Sequence, residues 1–376
     1  MSIKGGPKIE TSGLQLYYDV DNIDSYPGEP TTNLLDSDMT GWSMGNDATN
    51  TIEAGFEDPF GGNSAFKFTC TDGDGTSEYP HIRQYPAITG TTATHTFSVW
   101  LKWLSGTTTL SLYSFRGSPW AGAAGSNITI TSEWVKYTMT FNPLDTSAHT
   151  IDIIQNLADA SAQSYLIAFP QCEEKDHATQ YVDGTRSTTD GLKDLSGNAN
   201  HADLANATYD SNALIDYDGV SGVTDCGSAI ITGNNPWSWT IWFYPVATGT
   251  PLFLGTNTTS EAMVSYWQTS DSNRIRVGFW GGDKLTATIA CPPSTWSCVT
   301  YTWDGTTLRA YVNAVACGTA TGFVFNISST STFLGGTNIS SQLFTGKVDV
   351  ARIYNQALTA TEQLNNYNAV KSRFGH

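Results

Sequence analysis

Positive charge is scarce in this sequence: 18 lysines and arginines stand against 35 aspartates and glutamates, a net charge of −17. No basic run is present to neutralise a phosphate backbone, which argues against nucleic acid as a ligand. The same balance disfavours docking on an anionic membrane. Charged residues of both signs make up only 14% of the chain, and Ser, Thr, Asn and Gly fill the gap. Long apolar runs are missing too, since nothing approaches the roughly 18 residues of a membrane span. The six cysteines, Cys70, Cys172, Cys226, Cys291, Cys298 and Cys317, include no Cys-x-x-Cys pair, so a zinc or redox motif is not signalled. They read as buried, reduced, small apolar residues. Cys291 and Cys298 flank a Pro-Pro turn and could bridge only if their strands pair.

Catalytic signatures are equally thin. A retaining glycosidase needs two carboxylates on one face, one to attack and one to protonate the leaving oxygen. Glu173 and Glu174 are adjacent, so a strand would point them to opposite sides, and we expect them in a solvated linker. Asp216 and Asp218 share a face but lie in a turn block, Asp-Tyr-Asp-Gly. The histidines, His81, His95, His149, His177, His201 and His376, form neither H-x-H nor H-E-x-x-H. Gly-x-Ser-x-Gly is absent. We therefore expect no enzyme, with a glycoside hydrolase or lyase as the remote alternative in which acids from separate loops converge.

Aromatic residues are plentiful at 12%, which opposes disorder in spite of the polarity. In Thr96–Trp103, Phe97, Val99 and Leu101 alternate with Ser98, Trp100 and Lys102, the period of a half-buried strand. Trp134–Phe141, Trp239–Tyr244, Arg274–Trp280, Cys298–Trp303 and Leu308–Val312 alternate likewise, separated by Gly, Asn, Asp and Ser clusters suited to sandwich turns. One helix is signalled, over about 360–371. Thr359 and Glu362 form a capping box, followed by Leu364, Tyr367 and Val370 at helical spacing. The expected fold is all-β: two antiparallel β-sandwiches of jelly-roll type with one short C-terminal helix covering a sheet edge or pole.

Five blocks in the C-terminal half carry a family resemblance: Asp194-Leu-Ser-Gly-Asn198, Ile215-Asp-Tyr-Asp-Gly219, Trp239-Thr-Ile-Trp-Phe243, Tyr301-Thr-Trp-Asp-Gly305 and Gly346 through Thr359. This half resembles a laminin G-like or concanavalin A-like lectin/glucanase domain. Asn33-Leu-Leu35, Gly41-Trp42, Phe97 to Lys102, Ser132 to Tyr137, Gln171-Cys-Glu-Glu174 and Ala178 to Tyr181 resemble a carbohydrate-binding-module jelly roll, a pattern that recurs in phage structural proteins. The stretch Gly13 to Asp21, with Ser25-Tyr-Pro-Gly28, looks like the opening strand and loop of a laminin G-like domain. In relatives that opening runs almost directly into an Asp-Leu-Ser-Gly-Asn turn, which here comes only at 194–198. We therefore expect a jelly roll (31–185) inserted into a discontinuous lectin-like domain (10–30 plus 186–376), after an exposed arm (1–9). Surface loops tolerate such insertions. The opening strand would then pair with the closing strand near Val348 to Ile353.

Sugar binding needs aromatic faces for pyranose rings and polar groups for hydroxyls. Alternation turns Trp100 and Lys102 away from Phe97, Val99 and Leu101. Trp120 lies in a Gly/Ala/Ser-rich loop, and Tyr79, His81 and Arg83 alternate on one face. Trp237, Trp267 and Trp280 are the corresponding tryptophans of the lectin-like half. We take Trp100, Lys102, Trp120, Tyr79 and His81 as candidate carbohydrate-binding residues. The resemblance also brings calcium into view, with Asp72 and Asp74 of Thr71-Asp-Gly-Asp-Gly75 as candidate ligands in the inserted jelly roll, or Asp190, Asp194 and Asn198 in the lectin-like domain.

The resemblances, the Met-Ser-Ile-Lys-Gly-Gly-Pro opening without a secretory signal and the acidic composition together imply a non-catalytic phage structural protein. It would be assembled in the host cytoplasm and displayed on the virion surface as a head decoration or fibre component. Its expected partners are major capsid or tail proteins, host-surface glycans bound weakly, and further copies of itself. A free glycan-binding lectin or a tail adhesin is the alternative.

Overall fold

A computed structural model describes residues 8–45, 50–70, 80–86, 88, 91–117, 120–155, 162–227, 229–246, 250–253, 263–268, 271–279, 282–328, 331–336 and 343–376. The fold is all-β with antiparallel pairing and one short C-terminal α-helix. The chain divides into two compact units, Met1–Pro30 with Ser187–His376, and Thr31–Arg186.

The unit Thr31–Arg186 is a sandwich of two five-stranded sheets among the described residues. One runs in the order Val135–Phe141, His95–Ser105, Gln163–Glu173, Ala65–Cys70, Thr51–Phe56; the other runs Ser43–Met44, His81–Gln84, His149–Gln155, Thr109–Gly117, Trp120–Thr129. Alternation builds the interior. Phe97, Val99 and Leu101 meet Phe68, Tyr165 and Ile167 of their own sheet and Leu110, Leu112, Ile151 and Ile153 of the other, all essentially buried. Each such side chain contributes about 1.5–3 kcal/mol of burial. The ends of the unit close on each other, because Thr31–Thr32 pairs with Thr185–Arg186.

Glu173 does not lie in a linker. It ends the strand Gln163–Glu173 fully buried. Its carboxylate accepts from the Thr31 hydroxyl, the Gln171 amide, and both the Thr179 backbone N–H and hydroxyl, each at 2.8 Å. A buried charge is tolerated when donors surround it.

In the other unit an eight-stranded sheet faces a six-stranded one among the described residues. Trp237, Trp239, Ile241, Val299, Tyr301, Trp303 and Ile353 line the interior on one side, with Trp267, Ile275 and Val277 opposite. The opening strand Leu14–Asp19 pairs antiparallel with Thr345–Tyr354, Leu16 opposite Ile353 and Asp19 opposite Val350.

The capping box at Thr359 and Glu362 is formed, and the helix spans Ala360–Asn368, followed by a 3-10 turn at Lys371–Phe374. The segment covers the outer face of the eight-stranded sheet rather than an edge. Phe374 and Tyr367 stack on Trp242 at 4.1 and 5.5 Å between centroids. Leu364 is exposed, and the helix buries Gln363 and Asn366 instead. Both have partners: Asn366 bonds the Tyr354 hydroxyl and the Glu10 N–H, and Gln363 donates to the Ala314 carbonyl.

All six cysteines are free and buried, so Cys291 and Cys298 are not bridged. No helix among the described residues is long and apolar enough to cross a membrane.

Candidate functional site

Trp100 and Lys102 lie on the strand His95–Ser105 and face away from the core, half-buried. Directly opposite Trp100 are Lys136 on one neighbouring strand and Ala168 on the other. The strand carrying Ala168 then bulges, two residues standing against one between Ala168 and Gln171. A bulge re-aims side chains, and here Phe169 takes a left-handed φ of 52°, a conformation that costs a non-glycine residue about 1–2 kcal/mol.

Phe169 packs against Tyr181 at 4.8 Å and against Phe60 at 5.5 Å. Phe60 also meets Trp100 edge-on at 5.6 Å. It remains 72% exposed, the largest apolar exposure in this group. Its position follows from the turn Asp58-Pro-Phe-Gly-Gly62. The Asp58 carboxylate accepts from the amides of Phe60, Gly62 and Ser64 and from the Ser64 hydroxyl. Burial works against ionisation of Asp58, but these hydrogen bonds outweigh it and hold the carboxyl below its ordinary value. A side chain at Gly62 would collide with Asp58, its Cβ falling 2.4 Å from Oδ2. The result is an aromatic platform of Phe60, Trp100, Phe169 and Tyr181 on the outer face of one sheet.

His81 lies on the strand His81–Gln84 of the opposite sheet, so the fold does not bring it to Trp100 and Lys102. Beside it Arg83 pairs with Asp152, which also accepts from the Thr150 hydroxyl at 2.6 Å. Across the same face Tyr113 stacks on Phe115 at 5.0 Å. Trp120 begins the edge strand Trp120–Thr129 of that sheet. Tyr79, Asp72 and Asp74 lie outside the described residues, as does Trp280. Trp237 and Trp267 belong to the core, and the Trp267 indole donates to the Cys291 carbonyl at 2.9 Å.

Asp194 is occupied by protein donors: the amides of Tyr17, Ser196 and Asn200 and the Ser196 hydroxyl. Asp218 caps its own turn through the amides of Val220, Ser221 and Gly222. Burial opposes its ionisation, but those bonds bring its pKa down to about 2. Among the described residues no group of three or more His, Cys, Asp or Glu side chains is placed to hold a metal ion.

Sequence reasoning missed Phe60, Phe169, Tyr181 and Lys136 at this face. Lys136 was recoverable from the alternation of Trp134–Phe141, and Phe60 from its Gly-Gly turn. Nothing local marks Phe169, which depends on the bulge.

Residues 218–362 match the family model of the concanavalin A-like lectin/glucanases superfamily. The matched stretch lies in the unit that ends with the capped helix, whereas the aromatic platform lies in the unit Thr31–Arg186. Among solved structures, domain 4 of an extracellular arabinanase from Geobacillus stearothermophilus, in complex with arabinotriose, is similar at 20% identity over 48% of this chain and 95% of that one, with a TM-score of 0.36. The binding domain of Paraclostridial Mosquitocidal Protein 1 is similar at 13% identity over 48% of this chain and 50% of that one, with a TM-score of 0.41. No curated protein matches the chain.

Proposed function

We propose that the chain is a non-catalytic glycan-binding protein in which Thr31–Arg186 acts as an inserted carbohydrate-binding module, displayed on the surface of a virus particle. The observation that carries the binding reading is the outward aromatic platform, with Phe60 72% exposed above Trp100. A pyranose ring offers a face of C–H groups, and aromatic surface beside polar side chains is what such a face packs on. The Asp58 turn and the bulge at Phe169 hold that surface in place before any ligand arrives, which lowers the ordering cost of binding.

The non-catalytic part is supported by the use made of the buried acids. Glu173 is held by four donors, Asp152 by Arg83 and Thr150, and Asp194 by four donors. The virion part is supported by the resemblance to phage structural proteins carried by the motifs and opening residues. Weak single sites displayed in many copies would gain avidity on a cell surface.

A glycan array with the full chain tests the binding reading. Wild-type protein should bind a saturable subset of glycans, and Trp100→Ala and Phe60→Ala should remove that signal while keeping the thermal transition. Absence of any glycan signal, or a signal untouched in both folded variants, overturns it. Mass spectrometry of purified particles tests display: a fixed copy number supports it, and absence from particles removes it.

A further inference from the structure

We infer that the Trp100 face takes an acidic polysaccharide, one whose sugars carry carboxylate or sulfate groups, rather than a neutral one. This rests on the glycan-binding reading above and narrows its ligand. In a chain of net charge −17, three lysines converge on this one face. Lys136 stands directly across from Trp100, and Lys102 and Lys67 both stand across from Leu166, on either side of it. All three alternate with core residues of their strands, so all three point outward with the aromatic platform.

The acids near this face offset the lysines only in part. Glu173 is buried behind its four donors. Glu53 pairs with Lys67 at 4.0 Å, but the pair is open to solvent and therefore weak. Among the described residues Lys102 makes no ion pair. Lys136 spends one donor on the Thr179 carbonyl at 3.1 Å and keeps two. Burial disfavours its charge, with Glu173 pulling the other way; an incoming anion would restore what desolvation removes.

The spacing suits an extended chain of sugars. Trp100 and Lys102 lie about 7 Å apart along one strand, and Lys102 and Lys67 about 10 Å apart across two strand spacings. Trp100 thus has Lys136 across from it on one neighbouring strand and Lys102 and Lys67 farther along the same face, at backbone spacings comparable with a disaccharide. The acidic remainder of the molecule repels every polyanion alike, so a sugar ligand is told from a polyphosphate by the oligo(dT) arm of the test and not by net charge.

The test is retention of the full chain by polysaccharides of matched backbone and different charge: dextran against dextran sulfate, with alginate as a polyuronate and oligo(dT) as a non-sugar polyanion. Dextran sulfate or alginate should retain the protein, weakening as salt is raised, and dextran should not. Lys102→Glu and Lys67→Glu should each weaken binding about tenfold, the loss of one charge-assisted contact. Lys102→Arg should bind nearly as well as wild type. Equal retention by dextran and dextran sulfate, lost in Trp100→Ala but untouched in the lysine variants, overturns the acidic preference and leaves the glycan reading standing. Retention by oligo(dT) as tight as by the acidic sugars overturns it in favour of indiscriminate polyanion binding. Failure of every polysaccharide here, together with a silent glycan array, sinks both.

Discussion

The backbone N–H of Tyr17 donates to the carboxylate of Asp194 at 2.9 Å, across 177 residues of sequence. Asn198 and Asn200 add to the same closure by donating to the carbonyls of Leu14 and Gln15, at 3.0 and 2.9 Å. The turn Asp194-Leu-Ser-Gly-Asn198 therefore fastens the opening strand to the unit it belongs to. Asp194→Ala removes one carboxylate and strands the amides of Tyr17, Ser196 and Asn200, while the Ser196 hydroxyl keeps the Gln15 carbonyl at 3.1 Å. Bonds to a charged group contribute about 1.5–3 kcal/mol each, and they are not additive. We expect a loss of about 3 kcal/mol, read as a lower urea midpoint at unchanged slope. A change under about 0.5 kcal/mol would show that the turn closes without its carboxylate.

Glu173 makes the corresponding prediction in the unit Thr31–Arg186. Its donors come from the first strand of the unit, from its own strand and from the segment leading to Tyr181. Glu173→Gln presents an amide where the native group only accepts, so at least one donor faces another donor. We expect about 2–4 kcal/mol of destabilisation. On the glycan-binding reading we also expect weaker binding, because Gln171, which holds the Val182 amide, is left with the Thr179 hydroxyl as its one remaining acceptor. An unchanged melting curve would mean that the donors find other partners.

The strands were legible because their cause is local: alternation along Phe97–Lys102 states which side is wet before any partner is known. The capping box was legible for the same reason, being complete within four residues. The helix's buried side was not. Periodicity pointed to Leu364, whereas Gln363 and Asn366 go inward because acceptors and donors await them at Ala314, Tyr354 and Glu10. Glu173 misled in the same way, since its donors sit up to 142 residues away. Of the outward face around the platform, Trp100 and Lys102 could be read from their own strand. Phe169 could not, because a bulge is a mismatch between two strands and belongs to neither sequence segment alone.

The thiols offer a direct check on the interior. Burial pushes Cys226, Cys291 and Cys298 up to about 12 and raises Cys172 further. The thiolate is the reactive form, so the native protein at pH 8 should leave Ellman's reagent almost colourless. After unfolding in urea without reductant, six thiols should react. Four would reveal a bridge that the structure lacks, and fast reaction of the native protein would mean that the cores open readily.

Arg373 is held by three carboxylates: it forks onto Asp19, with 2.9 and 3.0 Å contacts, reaches Asp349 at 2.7 Å and lies 3.3 Å from Asp21. One cation does not balance three acids. Burial, with the neighbouring charges of Asp19 and Asp21, pushes Asp349 up to about 7 in spite of Arg373. In the unfolded chain an aspartate titrates near 3.9. Between roughly pH 4 and 7 the native state thus binds the proton that the unfolded state has released, so stability must fall as pH rises through that window. The slope is at most about 1.4 kcal/mol per pH unit for one proton. Below pH 4 both states are protonated and above pH 7 both are ionised, and this group adds no slope at either end. Asp349→Asn should flatten the window and leave the protein near its acid-side stability at pH 7.5. Arg373→Ala should steepen the fall, since the three acids then face one another and the segment that stacks Phe374 on Trp242 loses its tether. Calorimetric scans at pH 4.5, 5.5, 6.5 and 7.5 on the wild type and both variants separate these cases. A wild-type stability that rises across the window would mean that Arg373 outweighs the burial of Asp349.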